Sequence, residues 1–243
     1  MFLGHYGLAF AAKSVAPRTS LGSFTFAAQF LDELWPILVL LGVERLEIVP
    51  SLIIWSSSTE PRGRYWRSLT PLDFSYYPFS HSLLMAIVWG ILVGGGYFLL
   101  RRYGRGAWVI GVLVVSHWFL DLVVHRWDLP LWPGANSTKL GWGLWNYLAA
   151  TYVVEFTIYA VGMAIYLRAT RARDGIGRWG LGAYAALLLV IYAMSNGFIP
   201  PSDRAVAWSA LGIWLLVPLA WWVDRHRMSV QPVGLTPERP STF

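Results

Sequence analysis

Long apolar segments separated by short polar breaks dominate the chain. They cover residues 20–43, 82–100, 106–125, 145–167, 179–197 and 205–223. Because a helix needs about 20 apolar residues to cross roughly 30 Å of hydrocarbon, each segment is long enough, or nearly so, to span a membrane. Residues 1–16 would form a helix only about 24 Å long, so they are either a short seventh span or a re-entrant piece. The pattern predicts an all-α fold, a polytopic transmembrane helical bundle of six to seven spans.

The composition agrees with a membrane protein. Of 243 residues, 56% are hydrophobic and 13% are charged, and the chain holds 15 Trp and 12 Tyr. The charged fraction is about half that of a soluble domain, and Trp and Tyr concentrate at membrane interfaces. We find no internal repeat, so residues 1–227 are expected to form one transmembrane domain. Residues 228–243, rich in Pro, Ser and Thr, are expected to be a flexible tail.

The basic residues predict an orientation. Most of the Arg residues, including Arg101, Arg102 and Arg105, fall on one side of the alternating spans, and the positive-inside rule assigns that side to the cytoplasm. The C-terminus is then cytoplasmic in a bacterial inner membrane, and segments 44–80, 126–144 and 198–204 face outward. Lys13 follows the first apolar core instead of preceding it, which is not typical of a cleaved signal peptide. We interpret the net charge of +6 as topology anchoring, so membrane lipids and not nucleic acids are the expected partners.

Ionisable residues inside the apolar segments are the strongest functional signal. His117, Asp121 and His125 are spaced four residues apart and form one stripe on a helix. A charged side chain near the bilayer centre costs about 2.5–3.5 kcal/mol, so several such groups need a common partner such as a metal ion. Other candidate ligands lie in separate segments: His5, Asp32 and His81. The chain has no Cys, which leaves His and carboxylate ligands, suited to a divalent metal, preferably Zn with Mn or Fe as alternatives.

The candidates differ in strength. A lone intramembrane His is often a hydrogen-bond donor between helices, whereas the His117 and Asp121 pair favours ligation. His125 is weaker because it lies at the interface beside Arg126. Asp32 is preferred to Glu33, which points about 100° away on a helix.

Two acidic residues are candidates for catalysis. Glu155 lies mid-span, so it is either an acceptor that holds a ligating His or a general base. Glu44 lies near the outer rim beside Arg45, where it is either a proton acceptor or half of a surface ion pair. The Trp residues between 118 and 145 are interpreted as an outer aromatic belt.

Four motifs, in a fixed order over about residues 4–160, resemble the bacterial membrane-bound metal-dependent hydrolase family. They are Gly4-His5, Leu31-Asp32 with Trp35-Pro36, Tyr77-Pro78-Phe79-Ser80-His81, and Ser116-His117-Trp118 with Asp121, Asp128 and Pro130. The resemblance implies a multi-span inner-membrane protein with a His/Asp metal site and no defined substrate. More distant members read Pro-Asp-x-Asp-His where this chain has Leu31-Asp32-Glu33-Leu34-Trp35, so the second Asp and the His are missing here. The order of ligands is also similar to that of zinc-dependent phospholipase C, an analogy of order alone.

These observations favour a membrane-embedded metal-dependent hydrolase that acts on a lipid or lipid-linked ester or phosphoester near the outer leaflet. The expected ligands are His5, Asp32, His81, His117 and Asp121. The alternative is a metal-ion or proton transporter that uses the same cluster, although such folds often show inverted repeats. A purely structural helix bundle is disfavoured by the number of ionisable groups at similar depth.

Overall fold

A computed structural model describes residues 1–50, 70–196 and 199–230 of the chain. This part of the chain is mostly helical, as predicted. The α-helices are α1 (Phe2–Val15), α2 (Leu21–Leu40), α3 (Pro78–His81), α4 (Leu83–Arg101), α5 (Gly104–Val124), α6 (Leu148–Ala169), α7 (Leu181–Ser195), α8 (Asp203–Ala210) and α9 (Leu216–Arg225). A π-helical turn, Ile176–Gly180, leads into α7, and 3₁₀ turns at Leu144–Asn146 and Leu211–Leu215 precede α6 and α9.

Among the described residues, five helical segments are long and apolar enough to cross a membrane. They are Leu83–Arg101, Gly104–Val124, Leu148–Ala169, Ile176–Ser195 and Asp203–Arg225. The predicted count of six to seven is therefore not reached by length and composition alone. Helix α1 has only 14 residues. Helix α2 has 20 residues but is less apolar, because Gln29, Asp32 and Glu33 interrupt it.

Short strands supplement the helices. Three antiparallel two-stranded sheets lie in the connections: β1 (Arg45–Ile48) with β2 (Leu72–Tyr76), β3 (Leu129–Pro130) with β4 (Lys139–Leu140), and β5 (Thr170–Ala172) with β6 (Arg227–Ser229). The last pair includes Met228 and Ser229, so the start of the predicted tail belongs to the folded part. The rest of that tail, 231–243, and residues 51–69 of a predicted outward segment lie outside the described residues.

Helix α1 packs backbone to backbone against α6. A Cβ atom added to Gly162 would overlap the carbonyl group of Gly7, and one added to Gly7 would overlap the backbone of Ile158. Both glycines are therefore required by a close approach and not by an unusual backbone conformation. This contact fixes the position of α1, which carries His5.

Local signals in the sequence set the helix ends near the polar residues. Ser82 ends α3 and caps α4, since its hydroxyl accepts the backbone N–H of Met85. Pro78 starts α3, where its missing N–H costs nothing. Inside α2, Pro36 cannot donate to the carbonyl of Asp32, one turn earlier. Each of these features lies within one turn of a candidate ligand.

Buried charges gather at two ends of the bundle. At one end lie His5, Asp32, His81, His117 and Asp121, which we call the histidine cluster. At the other end, Lys13 on α1 forms an ion pair with Asp224 on α9, with 2.8 Å between Nζ and Oδ2. The second group, completed by Thr19 and Tyr166, is called the Lys13 cluster. Most of the remaining buried side chains are apolar or aromatic.

Candidate metal centre

Asp121 on α5 lies at the centre of the histidine cluster. Its Oδ2 atom is 3.1 Å from Nε2 of His117, 3.6 Å from Nε2 of His81 and 3.8 Å from Nε2 of His125. The spacing of four residues on one helix accounts for His117 and His125. His81 comes from the short helix α3. One carboxylate oxygen thus faces three imidazole rings, one within α5, one at the end of α5 and one from α3.

The second oxygen of Asp121 faces α1. Its Oδ1 atom is 3.2 Å from Nε2 of His5 and also contacts the amino group of Met1. The ring of His5 stacks on that of His117 with centroids 3.7 Å apart. Helix α1, although too short to be counted among the membrane-spanning helices, therefore delivers a ligand candidate to the cluster.

Asp32 on α2 completes the arrangement. Its Oδ1 atom is 3.6 Å from Nε2 of His81 and 3.7 Å from Nε2 of His117. Adjacent ligand atoms around a tetrahedral zinc ion are about 3.3 Å apart, given metal–ligand distances of 2.0–2.2 Å. Two sets of three candidate ligand atoms lie within 4.8 Å of one another, namely His5, Asp32 and His117, and His81, His117 and Asp121. The structure thus brings all five preferred ligand candidates together.

The ring of His117 has a defined protonation pattern. Its Nδ1 atom is 2.7 Å from the carbonyl oxygen of Ala28. A carbonyl only accepts, so Nδ1–H donates and Nε2 of the neutral ring keeps its lone pair. That Nε2 atom is buried and has no hydrogen-bond partner in the described part of the chain.

The ring of His81 is held in the same way through a chain of hydrogen bonds. The Ser80 hydroxyl donates to Oε2 of Glu44 at 2.7 Å, and its oxygen is 2.8 Å from Nδ1 of His81. Because the hydroxyl proton is used by Glu44, the serine oxygen accepts from His81 Nδ1–H. The Nε2 lone pair of His81 therefore also points towards Asp32 and Asp121.

Of the three rings that face Oδ2 of Asp121, the ring of His125 is the most distant. Its Nδ1 atom is 3.0 Å from Oδ1 of Asp128 and 3.3 Å from the hydroxyl of Tyr77. The ring lies against Trp145 with centroids 4.3 Å apart. A carboxylate that receives Nδ1–H leaves Nε2 facing Asp121, but from the longest distance of the three. His125 belongs to neither of the two tight sets of candidate ligands.

Electrostatics shows why this set of residues fits a bound cation. Neutral imidazole lone pairs that face two carboxylates in a buried site repel them, and water does not screen the repulsion there. If the ring of His117 were instead doubly protonated, its Nε2–H would lie 3.1 Å from Oδ2 of Asp121 but would be poorly aligned for a hydrogen bond to it. A divalent metal bound by imidazole and carboxylate would relieve both problems.

Glu44 supports the segment that carries His81. It is buried instead of forming a surface ion pair with Arg45, and its Oε1 atom accepts the backbone N–H groups of Phe79 and Ser80 at 2.9 and 2.8 Å. Burial raises the pKa of Glu44, and the hydrogen bonds from Ser80 and Phe79 oppose that rise. Glu44 therefore positions Ser80 and His81; the alternative of a surface ion pair with Arg45 is corrected, and its catalytic role stays a prediction.

Of the two roles predicted for Glu155, the structure does not support holding a histidine ring, and the role of general base stays a prediction. Its Oε2 atom accepts the backbone N–H of Gly4 at 3.2 Å, so it caps the first turn of α1 and does not hold a histidine ring. Its carboxyl group nevertheless lines a cavity beside the cluster. Glu155 thus fixes the end of α1 from which His5 projects.

A cavity of about 200 Å³ adjoins the cluster. Asp32, His81, Asp121 and His125 line one side, and the aromatic rings of Trp35, Phe74 and Trp145 also contribute. Trp145, which the sequence predicts to be part of an outer aromatic belt, therefore also lines this cavity. Trp118 departs from that prediction, because it is buried and donates to the carbonyl of Pro130 at 3.3 Å.

Sequence reasoning missed several residues that support the site. Ser80 and Asp128 lie within the quoted motifs, and a histidine preceded by Ser or followed three residues later by Asp is a detectable signal. The contributions of Ala28, through its carbonyl, and of Gly4, through its N–H, carry no side-chain signal.

Comparisons of the chain with protein-family models, with curated proteins and with solved structures find no match. Function must therefore be inferred from the geometry of the site.

Proposed function

We propose that the protein is a membrane-embedded metal-dependent hydrolase that acts on a lipid or lipid-linked ester or phosphoester. His5, Asp32, His81, His117 and Asp121 would hold a divalent metal, preferably Zn. The observation that carries this proposal is the orientation of His81 and His117, whose Nε2 lone pairs face the carboxylates of Asp32 and Asp121 while their Nδ1–H groups are already used. When bound, such a metal supplies an activated water and polarises the bond to be cleaved.

The surrounding residues support hydrolysis in three ways. The Ala28 carbonyl and the Glu44–Ser80 pair fix the orientation of the rings of His117 and His81, which keeps their lone pairs directed inward. Asp32, whose side chain is 23% exposed, connects the buried cluster with the adjoining cavity. The cavity offers room for a substrate group next to the ligands, as an enzyme site requires.

We also propose how the chain crosses the membrane. Helix α2 crosses the bilayer together with the five more apolar helical segments, and the C-terminus is cytoplasmic in a bacterial inner membrane. Helix α2 packs against α1, α5 and α9 and carries Asp32 between them. Surrounding helices offset the cost of polar residues on a span, which supports a sixth crossing. The histidine cluster is then near the outer leaflet.

Metal content and activity are the first experiments. Purified protein should contain about one or two divalent metal ions by elemental analysis, and the H117A/D121A double variant should lose them. The matched control is H226A, because His226 pairs with Asp174 at the surface, away from the cluster. The metal-loaded protein should hydrolyse esters in a panel of lipid substrates and stop when a chelator is added. Unchanged metal content in a folded double variant would overturn the site.

A metal-ion or proton transporter is the second candidate. It is favoured by Gln29 and Glu33 on α2, which are buried near Asp32 and whose side-chain polar atoms have no hydrogen-bond partner in the described structure. Such groups could extend the polar region into the bundle. Metal or proton flux in proteoliposomes that depends on Glu33, without hydrolysis of any lipid in the panel, would favour the transporter.

A further inference from the structure

The cavity beside the histidine cluster has a second polar wall, formed by the end of α7. Tyr192, Ser195 and Asn196 line the cavity together with the candidate metal ligands Asp32, His81 and Asp121. Ser195 is already engaged, since its hydroxyl donates to the carbonyl of Tyr192 at 2.9 Å. This wall is not needed to hold a metal, so its polar groups require a separate explanation.

Two polar groups in this wall, the Tyr192 hydroxyl and the Asn196 amide, lie near each other but form no well-aligned hydrogen bond among the described residues. The Tyr192 hydroxyl and the Asn196 Nδ2 atom are both buried, and the Tyr192 side chain is only 3% exposed. A buried polar group without a partner costs about 1–3 kcal/mol, so such groups usually bind a ligand or water. Here the two groups lie close to each other and to Glu155, next to open space.

The ring of Tyr192 is held in place by its neighbours. Its centroid is 5.9 Å from that of Phe156, 6.0 Å from that of Tyr152 and 6.2 Å from that of Phe2. Contacts on several sides restrict the rotation of the ring. The hydroxyl is therefore positioned in advance, as expected of a group that recognises a ligand.

The charge of the cavity restricts the class of ligand. Asp32, Asp121 and Glu155 contribute carboxyl groups. Of the described residues that line the cavity, none is Lys or Arg, and the Met1 amino group is already paired with Asp121. Phosphate groups are normally bound by Arg or Lys, and the described lining residues offer a phosphate head neither of them. A bound metal would offset the negative charges of Asp32 and Asp121 but not that of Glu155.

The size of the cavity agrees with a small head group. A volume of about 200 Å³ corresponds to roughly six or seven water molecules at about 30 Å³ each. A glycerol unit, with six non-hydrogen atoms, fits this space. The aromatic rings of Trp35, Phe74 and Trp145 provide the apolar part of the wall.

We infer that Tyr192 and Asn196 bind the uncharged head group of the substrate, through hydroxyl or ester oxygens, beside the candidate metal ligands. This inference rests on the proposed hydrolase function and narrows its substrate class from esters and phosphoesters to neutral, glycerol-type carboxylic esters. Tyr192 and Asn196 are specificity-determining residues in this assignment.

The test uses a neutral ligand that cannot be hydrolysed. 1-O-hexylglycerol, an ether, should raise the melting temperature of the metal-loaded protein in detergent, and hexyl phosphate should do so far less. The Y192F and N196A variants should each bind the ether about ten-fold more weakly, because each loses one hydrogen bond. The metal content of both variants should equal that of the wild type.

Tyr184 provides the matched control. It lies on the same helix, is as buried as Tyr192 and also has an unpartnered hydroxyl, but it does not line the cavity. Y184F should therefore retain ether binding. Preferential binding of hexyl phosphate, no binding of the ether, or equal losses in Y184F and Y192F would overturn the assignment. The ether is not hydrolysed, so its binding tests the head-group site without any turnover. Absence of lipid hydrolysis would contradict the proposed function but would not decide whether this site binds a neutral head group.

Discussion

The two clusters of buried charge at the ends of the bundle differ in how their polar atoms are satisfied. In the Lys13 cluster, Lys13 Nζ reaches both Asp224 and the carbonyl of Thr19. Asp224 in turn accepts the backbone N–H of Leu21 at 3.0 Å and the hydroxyl of Tyr166 at 2.7 Å. Opposite charges and hydrogen bonds are complete without any added ion.

The histidine cluster contains the same kinds of groups but is incomplete. His117 Nε2 has no hydrogen bond, and the Nε2 atoms of His81 and His125 face Asp121 in the orientation of lone pairs. Burial of ionisable residues is therefore not by itself a sign of function. The informative feature is a buried set whose members are held in position by their neighbours while imidazole lone pairs still face carboxylates.

The largest expected effect is on the Lys13 cluster. D224A should lower the free energy of unfolding by about 3–5 kcal/mol, because it leaves the Lys13 ammonium buried without a counter-charge. Chemical unfolding in detergent micelles measures this loss. The double variant K13M/D224L removes both charges and should be much less destabilised. Metal content should be unchanged in both, and a drop in metal content would contradict the separation of the two clusters.

Loss of Asp121 should affect metal binding strongly and stability less than loss of Asp224 does. D121A should weaken metal binding by more than about 100-fold, beyond the 10–100-fold range typical of residues that only support a ligand. Without metal, its unfolding free energy should fall by less than that of D224A, because the lost pairing with the Met1 amino group is offset by the removal of a carboxylate that faces imidazole lone pairs. Competition with a chelator and unfolding of the metal-free protein give the two values. Strong destabilisation of the metal-free variant would show that Asp121 is a structural partner like Asp224.

A smaller effect on metal affinity is expected when the side chain that orients the His81 ring is removed. S80A breaks the connection between Glu44 and the His81 ring, so metal affinity should fall about 10–100-fold. The control is S116A, since Ser116 also precedes a candidate histidine ligand but its hydroxyl donates to the carbonyl of Leu113 at 2.8 Å. S116A should leave metal affinity unchanged. Equal effects of the two substitutions would argue against an orienting role for Ser80.

The smallest effect concerns an exposed pair outside both clusters. The hydrogen bond from His226, followed by that from the Gly177 N–H, lowers the pKa of Asp174. A depressed pKa stabilises the fold above the unfolded value of about 3.9, and this contribution is lost as pH falls through the folded pKa. The melting temperature of D174N should lie slightly below that of the wild type at pH 5 and converge with it below pH 3. A difference that persists at the lower pH would contradict this account.

Much of the fold follows from the apolar pattern. Each predicted segment coincides with a helix or helical run to within a few residues, because the apolar length that crosses a membrane is also the length of a stable helix. The short sheets in the connections were not predicted. They depend on pairing between residues far apart in the chain, such as Thr170 with Ser229, which no local pattern reveals.

The candidate site was partly predictable for a similar reason. The spacing of His117 and Asp121, and the 100° between Asp32 and Glu33, follow from helix geometry, and the structure directs Asp32 to the cluster and Glu33 away from it. The roles of Glu44 and Glu155 were not predictable. Their partners are backbone N–H groups of residues 36 and 151 positions away, and a backbone group has no signature in the sequence.

The close contact between Gly7 and Gly162 has a consequence for biogenesis. Helix α1 is synthesised well before α6, on which it docks, and at about 21 Å it is too short to be held across a bilayer on its own. We expect α1 to remain at the membrane–water interface until α6 has been inserted. Only after α1 has packed against α6 would His5 contact Asp121. Completion of the histidine cluster would then be a late event, which marks a bundle that has assembled fully.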